Sequence, residues 1–268
     1  MSSYWENLAH HTDEQIWMAH PLVRRAINER VSGDPNIWPI TALRYRLGRS
    51  AGACLSVGCG TGGLERSIVD ENISRDVTGI DISETPLAEA RRLAGDRPIK
   101  YVVADAWTFL RDHSFDAIFF HGSLHHFDRL DELMDLVAGA LRPNGFLWYD
   151  EYVGPSRDEW TWRELLPLNV AYYRLPSAMR RPHLVRAPIN REDPTEAIAS
   201  SQIIPATERR FRLIERRDYG GNLLLVIYPN LRHAPEFDGS IAKLIEWDGE
   251  AMRRRPSYST VIIAEPRS

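Results

Sequence analysis

A short glycine-rich stretch constrains this chain more than any other feature of its sequence. It runs from Leu55 to Leu64 and reads LSVGCGTGGL, an apolar run that leads into closely spaced glycines. Glycine has no Cβ, so such a loop can turn tightly and let a ligand approach the backbone. The N–H groups at the start of the following helix favour electron-rich or anionic ligand groups. The spacing Gly58-x-Gly60-x-x-Gly63 also fits a dinucleotide fingerprint, so the loop alone leaves the cofactor undecided.

Length and composition exclude several classes of protein. The chain has 268 residues, a length that suits one large globular domain. Its formal net charge of -4 gives no support for nucleic-acid binding. No run is apolar enough for a membrane helix, and the first residues lack the pattern of a signal peptide. Cys54 and Cys59 both lie in the strand-and-loop stretch around the glycines, which suggests packing and not a disulfide, and no Cys/His cluster has zinc-site spacing. The sequence predicts a cytoplasmic protein without a membrane partner.

Strand and helix patterns alternate after the first fifty residues, which is typical of an α/β fold. The predicted strands are Ala53–Val57, Asp76–Ile82, Ile99–Ala104, Phe115–Phe120, Phe146–Tyr152, Phe211–Tyr219 and Ser259–Ala264. The main predicted helices are Ile40–Leu47, Gly62–Asn72, Pro86–Leu93, Leu130–Leu141 and Ser240–Arg254. We therefore expect a Rossmann-like, doubly wound sheet whose ligands bind beyond the carboxyl ends of the strands.

The organisation that follows is one domain with added segments. Its predicted parts are a helical N-terminal cap (1–50), a cofactor-binding core (51–153), a substrate-side insertion (154–208), and the last two strands with a helical insert (209–268). Within the N-terminal cap, Thr12-Asp13-Glu14-Gln15 has the pattern of a capping box. Within the insertion, Pro194–Ser201 is predicted to form a short helix.

Two aspartates at predicted strand ends bear on the cofactor. Asp81 ends the second strand, where a carboxylate can accept hydrogen bonds from both hydroxyls of a ribose. Asp105 follows the third strand, where a side chain can bind the exocyclic amine of adenine. A nicotinamide oxidoreductase gives Asp105 no equally natural role. The pair therefore favours another adenosine-bearing cofactor and keeps the oxidoreductase as an alternative.

Five segments occur in the order and spacing of a known family. They are Leu55–Gly63, Val77–Ser83, Val103–Ala106, Phe115–Ile118 and Leu141–Gly145. Together they resemble the class I S-adenosylmethionine-dependent methyltransferases over roughly residues 52–152. The resemblance implies a seven-stranded sheet with an antiparallel last strand, S-adenosylmethionine as cofactor and S-adenosylhomocysteine as product.

The resemblance also implies which residues contact the cofactor. These are Gly58, Cys59, Gly60, Thr61, Gly62, Asp81, Ile82, Asp105, Ala106 and His121, the last through its backbone carbonyl on the methionine ammonium. One position departs from the family pattern. Ser56 stands where the family usually carries an Asp or Glu that helps to hold the ammonium, so a charge is missing there.

Three further segments resemble bacterial methyltransferases associated with glycan or secondary-metabolite genes. They are Asp150–Arg157, Asp193–Glu196 and Arg30–Asp34. This resemblance implies a small-molecule acceptor, glycan-like or anionic, that is methylated on oxygen or else on nitrogen. A cofactor-binding partner or sensor without catalysis is the alternative from another class, and Ser56 favours it slightly. An RNA methyltransferase is disfavoured by the net charge. The oligomeric state stays open.

Candidate catalytic groups follow the fourth and fifth strands. His125 is the preferred general base because imidazole titrates near neutral pH, with His126 and Glu151 as the other candidates. Equally, these histidines can simply hold the loop. No metal site is predicted, because adjacent histidines are expected to point apart and no carboxylate cluster is evident. Tyr152, Arg157, Tyr172 and Tyr173 are the candidate acceptor contacts, an arginine clamp being suited to a carboxylate or phosphate.

Overall fold

A single seven-stranded sheet organises the computed structural model, in which residues 16–181 and 183–267 are described. Its strands are β1 (Ala53–Val57), β2 (Asp76–Asp81), β3 (Ile99–Val103), β4 (Phe115–His121), β5 (Leu141–Tyr152), β6 (Phe211–Gly220) and β7 (Ser259–Pro266). The spatial order is β3-β2-β1-β4-β5-β7-β6. Strands β1 to β5 pair in parallel, whereas β7 is antiparallel to both β5 and β6. The predicted sheet, including its antiparallel last strand, is confirmed.

Helices cover both faces of this sheet. They are α1 (Pro21–Ser32), α2 (Pro39–Leu47), α3 (Gly63–Asp70), α4 (Glu84–Ala94), α5 (Ala106–Asp112), α6 (Leu130–Ala140), α7 (Trp162–Arg174), α8 (Ile203–Arg210), α9 (Leu224–Ile227) and α10 (Asp238–Met252). Successive residues of β1 face opposite sides, as a strand requires. Cys54 packs with the helices α1 to α3, and Leu55 and Val57 pack with α5 and α6.

Three predictions about helices need comment. The predicted helix Pro194–Ser201 is wrong, because Ala197 has a φ of 53° and the described helix begins only at Ile203. Helix α5 was missed, although Asp105 caps it by accepting a hydrogen bond from the backbone N–H of Thr108. The predicted capping box at 12–15 lies outside the described residues.

A buried ion pair ties the N-terminal helices to the C-terminal part of the sheet. Asp248 in α10 is fully buried and receives the guanidinium of Arg30 at 3.1 Å. Its carboxylate also accepts the backbone N–H groups of Gly221, Leu223 and Leu224. A buried carboxylate is stable only when it is paired and hydrogen-bonded in this way. Helix α1 is thus an integral part of the domain.

No helix within residues 16–181 and 183–267 combines the length and the apolar character needed to cross a bilayer.

Candidate active site

The register of the sheet brings the candidate residues to one edge. Asp81 pairs with Val103, and Val57 pairs with both Ile80 and Phe120. On the other side, His121 pairs with Asp150. The carboxyl ends of β1 to β5 therefore lie side by side, and the loops that follow them share one rim. Open α/β sheets bind their ligands at this rim.

The glycine loop after β1 has the geometry that the sequence predicts. Gly58, Gly60 and Gly62 all have positive φ, at 68°, 52° and 76°, a region that other residues rarely adopt. The carboxylate of Asp81 fixes the loop, since Oδ2 accepts the N–H of Gly60 at 2.9 Å. Its other oxygen accepts the N–H of Ser83 at 2.9 Å. Asp81 therefore connects the glycine loop to the turn after β2.

The surface beside this loop fits an adenosine cofactor. A Cβ built at Gly60 would meet nothing within 4 Å, so the loop backbone is open to a ligand there. Ile82 and Val103 are 64% and 47% exposed at the neighbouring strand ends, which offers apolar contact to a ring. Asp105 lies just beyond Val103 with its carboxylate at the helix start. All ten predicted contacts with the cofactor, those of Cys59, Thr61, Ala106 and the His121 carbonyl included, stay predictions.

A carboxylate does lie beside Ser56, but it comes from the next helix. Glu65 is in the first turn of α3 and is fully buried. Burial raises the pKa of Glu65, while the nearby Ser56 hydroxyl and the charge of His121 oppose that rise. A carboxyl group, which Ser56 does not supply, is thus present on α3. The sequence reasoning passed over it because it lies nine positions further along the chain.

The loop after β4 contacts the glycine loop directly. The hydroxyl of Ser123 donates to the backbone carbonyl of Val57 at 2.6 Å. A Cβ at Gly58 would lie 2.7 Å from the Ser123 Cβ, so only glycine fits at this crossing. The residues that follow Ser123 are therefore held next to the cofactor loop.

His125 and Glu151 form a buried pair at this position. The Nδ1 atom of His125 lies 2.8 Å from Oε2 of Glu151, and Oε1 accepts the N–H groups of Ser123 and Leu124, each at 2.6 Å. Burial works to lower the pKa of His125, but Glu151 and then Glu196 outweigh it, so this pKa is raised. Burial likewise works to raise the pKa of Glu151, but His125 and the two N–H groups lower it.

These contacts correct the prediction that Glu151 is a second candidate base. Glu151 is 1% exposed and both of its carboxylate oxygens already accept hydrogen bonds from the loop. A carboxylate enclosed in this way cannot reach an acceptor. Its Oε2 instead accepts a hydrogen bond from Nδ1 of His125, which orients the ring with Nε2 towards Glu196.

The insertion supplies acidic residues that the sequence did not assign to the site. Asp193 accepts the N–H and the hydroxyl of Thr195, and that hydroxyl lies 3.1 Å from Nδ1 of His126. The backbone N–H of Ile198 donates to the carbonyl of His125 at 3.2 Å, which docks this segment on the histidine loop. The segment also brings Glu196 to the two histidines, and burial raises its pKa.

The two histidines do not point apart, which corrects the premise used against a metal site. Their ring centroids are 4.3 Å apart. The Nε2 atoms of His125 and His126 lie 3.7 Å and 3.8 Å from the two oxygens of Glu196. Burial and then the neighbouring His125 lower the pKa of His126 to about 4. We call His125, His126, Glu151, Asp193 and Glu196 the histidine–carboxylate cluster.

The four predicted acceptor contacts differ in their burial and in their partners. Tyr172 is fully buried in the core, so its prediction as an acceptor contact is wrong. Arg157 donates to the backbone carbonyls of Asp193 and Asn190, and it thereby holds the segment that carries Glu196. Tyr152 and Tyr173 stay predictions, the first partly buried and the second half-exposed beside Arg180.

Comparison with known sequences agrees with this geometry. Residues 55–149 match the model of a family described as "Methyltransferase domain". An uncharacterized methyltransferase of Mycobacterium tuberculosis is 30% identical over 109 residues, which are 40% of this chain and 54% of that relative. A fatty-acid O-methyltransferase of Mycolicibacterium smegmatis is 30% identical over 113 residues, or 42% of this chain and 41% of the relative. The chain thus spans about half the length of the curated relatives it matches.

Comparison with solved structures concerns the fold alone. The crystal structure of the [4+2]-cyclase SpnF superposes with a TM-score of 0.51 at 18% identity, covering 96% of this chain and 98% of that one. The sheet order, the glycine loop and the matched segment together define the class. Residues 55–149 carry the methyltransferase domain, and the sheet around them has the strand order of the class I S-adenosylmethionine-dependent methyltransferase fold. S-adenosylmethionine is the cofactor of this class.

Proposed function

We propose that the protein transfers the methyl group of S-adenosylmethionine to an oxygen atom of a small-molecule acceptor. One observation carries the proposal. The glycine loop and the histidine–carboxylate cluster are in contact through Ser123, so polar groups suited to a hydroxyl lie beside the cofactor loop. A relative named as a fatty-acid O-methyltransferase supports oxygen as the acceptor atom.

The cofactor supplies a methyl group on a sulfonium, which is already a good leaving group. The chain must therefore align the acceptor and exclude water, and a hydroxyl acceptor benefits from help with its proton. The cluster occupies the position for this task, with Nε2 of His125 turned away from Glu151. The buried packing of Leu124 and His125 keeps that atom in place.

Two features support a small acceptor. The segment 193–198 folds over the cluster and limits access to it. The chain as a whole carries a formal net charge of -4, which disfavours RNA as the acceptor. A sugar hydroxyl and a carboxylate oxygen, as in a fatty acid, both fit this description, and nitrogen methylation is the neighbouring alternative.

The test has two parts, because a fold neighbour named as a cyclase shows that this fold by itself does not define methyl transfer. Calorimetry should first show binding of S-adenosylhomocysteine and little binding of NAD. Formation of S-adenosylhomocysteine from S-adenosylmethionine should then depend on an added hydroxyl compound, screened among sugars and fatty acids. Tighter binding of NAD would overturn the cofactor assignment. Cofactor binding without turnover on any acceptor would favour a sensor or partner subunit.

A further inference from the structure

The ring nitrogens of His125 and His126 converge on the carboxylate of Glu196. The two Nε2–oxygen distances are 3.7 Å and 3.8 Å, and one potential ligand atom from each residue lies within 4.8 Å of the others. These distances are longer than an N–H···O hydrogen bond. Two atoms that each lie about 2.1 Å from one metal ion stand roughly 3.0–4.2 Å apart. The spacing therefore suits a shared ion better than direct hydrogen bonds.

Both rings are oriented through their other nitrogen, which is how metal-binding histidines are usually held. Nδ1 of His125 meets the acceptor-only carboxylate of Glu151 at 2.8 Å. Nδ1 of His126 meets the hydroxyl of Thr195 at 3.1 Å, and this hydroxyl already donates to Asp193 at 2.6 Å. Each neutral ring therefore carries its hydrogen on Nδ1, and its Nε2, which faces Glu196, is an electron-pair donor.

We propose that His125, His126 and Glu196 bind one divalent transition metal ion, with Zn²⁺ as the ion that this donor set fits best. Two imidazoles and one carboxylate form a known three-ligand set for zinc, and such a set leaves a coordination position open. Mg²⁺ and Ca²⁺ prefer sites built from oxygen ligands alone. The donor chemistry therefore selects against these two ions.

The surroundings suit a cation and allow it to enter. The side chains of His125, His126 and Glu196 are 11%, 16% and 35% exposed, so the group is partly open to solvent. Oδ2 of Asp193 is buried without a hydrogen-bond partner among the described residues and lies 3.5 Å from Nδ1 of His126. A buried carboxylate oxygen in this state is costly, and a cation bound on the far side of the His126 ring offsets that cost.

The ion gives the cluster a second way to activate an acceptor. The open coordination position accepts a hydroxyl or carboxylate oxygen, and the charge of the ion lowers the pKa of a bound hydroxyl. With the ion bound, Nε2 of His125 is a ligand and not a general base. This consequence rests on the proposed methyl transfer, whereas ion binding itself does not.

Ion binding is tested on the full chain after removal of metals with a chelator and dialysis. We expect calorimetry to show one Zn²⁺ per chain, Co²⁺ to give the visible absorption of a protein-bound ion at the same stoichiometry, and Mg²⁺ not to compete. Glu196→Gln should weaken Zn²⁺ binding by at least about 100-fold, since losing even an outer partner costs about 10–100-fold. Asp193→Asn alters such an outer partner. It should therefore weaken Zn²⁺ binding by about 10–100-fold.

Glu192→Gln is the matched control, because Glu192 is an exposed acid four positions from Glu196 and outside the cluster. It should bind Zn²⁺ like the unaltered chain. Equal affinities for Glu196→Gln and Glu192→Gln, no stoichiometric Zn²⁺, or Mg²⁺ binding as tight as Zn²⁺ would each overturn the proposal. Binding of S-adenosylhomocysteine, measured on the same samples, separates this failure from a failure of the proposed function.

Discussion

The two halves of the site are built in different ways. The cofactor half uses residues at the ends of strands that are successive in the chain: the glycine loop follows β1, Asp81 ends β2, and Asp105 lies just beyond β3. The acceptor half combines distant segments, since His126 and Thr195 are 69 positions apart and His125 and Glu151 are 26 apart. The cofactor half is fixed largely by backbone geometry. The acceptor half depends on long-range contacts between charged side chains.

This difference has a functional meaning. A loop fixed by glycine φ angles and one carboxylate can serve any member of a class that uses the same cofactor. A cluster assembled from an insertion can change with the acceptor while the sheet stays the same. Function is commonly grafted onto a shared fold in this manner. Variants in the two halves should therefore separate cofactor binding from turnover.

The largest effect is expected from His125→Ala. The alanine removes the imidazole that we propose as the group assisting the acceptor, so turnover should fall by about 10²–10⁴-fold while the affinity for S-adenosylhomocysteine stays nearly unchanged. Steady-state kinetics and calorimetry measure the two effects. His113→Ala, at an exposed histidine after α5, is the control and should alter neither. A fall of less than about tenfold, or a loss of cofactor affinity, would mean that His125 only shapes the loop.

Asp81→Ala should affect the cofactor half of the site. Loss of charge-assisted hydrogen bonds should weaken S-adenosylhomocysteine binding by about 1.5–3 kcal/mol, roughly 10–150-fold in the dissociation constant. Calorimetry checks this, with Asp76→Ala at the exposed start of β2 as the control. Turnover at saturating cofactor should change far less. An unchanged dissociation constant would leave Asp81 only its contacts with Gly60 and Ser83.

Gly62→Ala tests the backbone of the cofactor half. The new Cβ would stand 2.2 Å from the Tyr101 hydroxyl at a residue with a φ of 76°. We expect a loss of about 1–3 kcal/mol in the free energy of unfolding, read by denaturant titration. Gly139→Ala is the control, because its Cβ meets nothing within 4 Å inside α6, and it should gain about 0.5–1 kcal/mol. An unchanged free energy of unfolding for Gly62→Ala would mean that the loop rearranges to accommodate the new Cβ.

Arg157→Ala should give the smallest effect. The guanidinium binds the backbone carbonyls of Asn190 and Asp193, so its removal should loosen the segment that carries Glu196. We expect turnover to fall by about tenfold, the equivalent of roughly 1.4 kcal/mol, with cofactor affinity unchanged. Arg163→Ala, at an exposed arginine of α7, is the control. If KM for an anionic acceptor rose while kcat stayed constant, Arg157 would contact the acceptor, as the sequence predicted.

The cofactor half was predictable because its signals are local. Apolar runs marked β1 to β4, and the glycines and strand-end aspartates marked the rim. Helix α5 was still missed, since seven residues give too short a periodic pattern. Its capping signal, Asp105, was present but had been assigned to adenine alone.

The acceptor half was only partly predictable. His125, His126 and Glu151 were found because they follow strand ends, but their partnership depends on which atoms face each other. Glu196 was placed on a predicted helix, and the left-handed conformation of Ala197 breaks that helix. No periodic pattern encodes a contact that forms only when an insertion folds back on the sheet. The sequence motif Asp193–Glu196 indicates a segment shared with similar methyltransferases, but it does not indicate which residues that segment contacts in the fold.

The position of β7 has a consequence for how the chain is made. Among the described residues, strand β6 pairs with β7 alone, and β7 also closes the free edge of β5. During synthesis β6, which ends at Gly220, has no neighbour in the sheet until Ser259 and the residues after it have left the ribosome. Until then the nascent chain presents the free edge of β5 and an unpaired β6, and unpaired strand edges are prone to wrong association. Helix α10, which is made in between, packs against β6 in the folded protein.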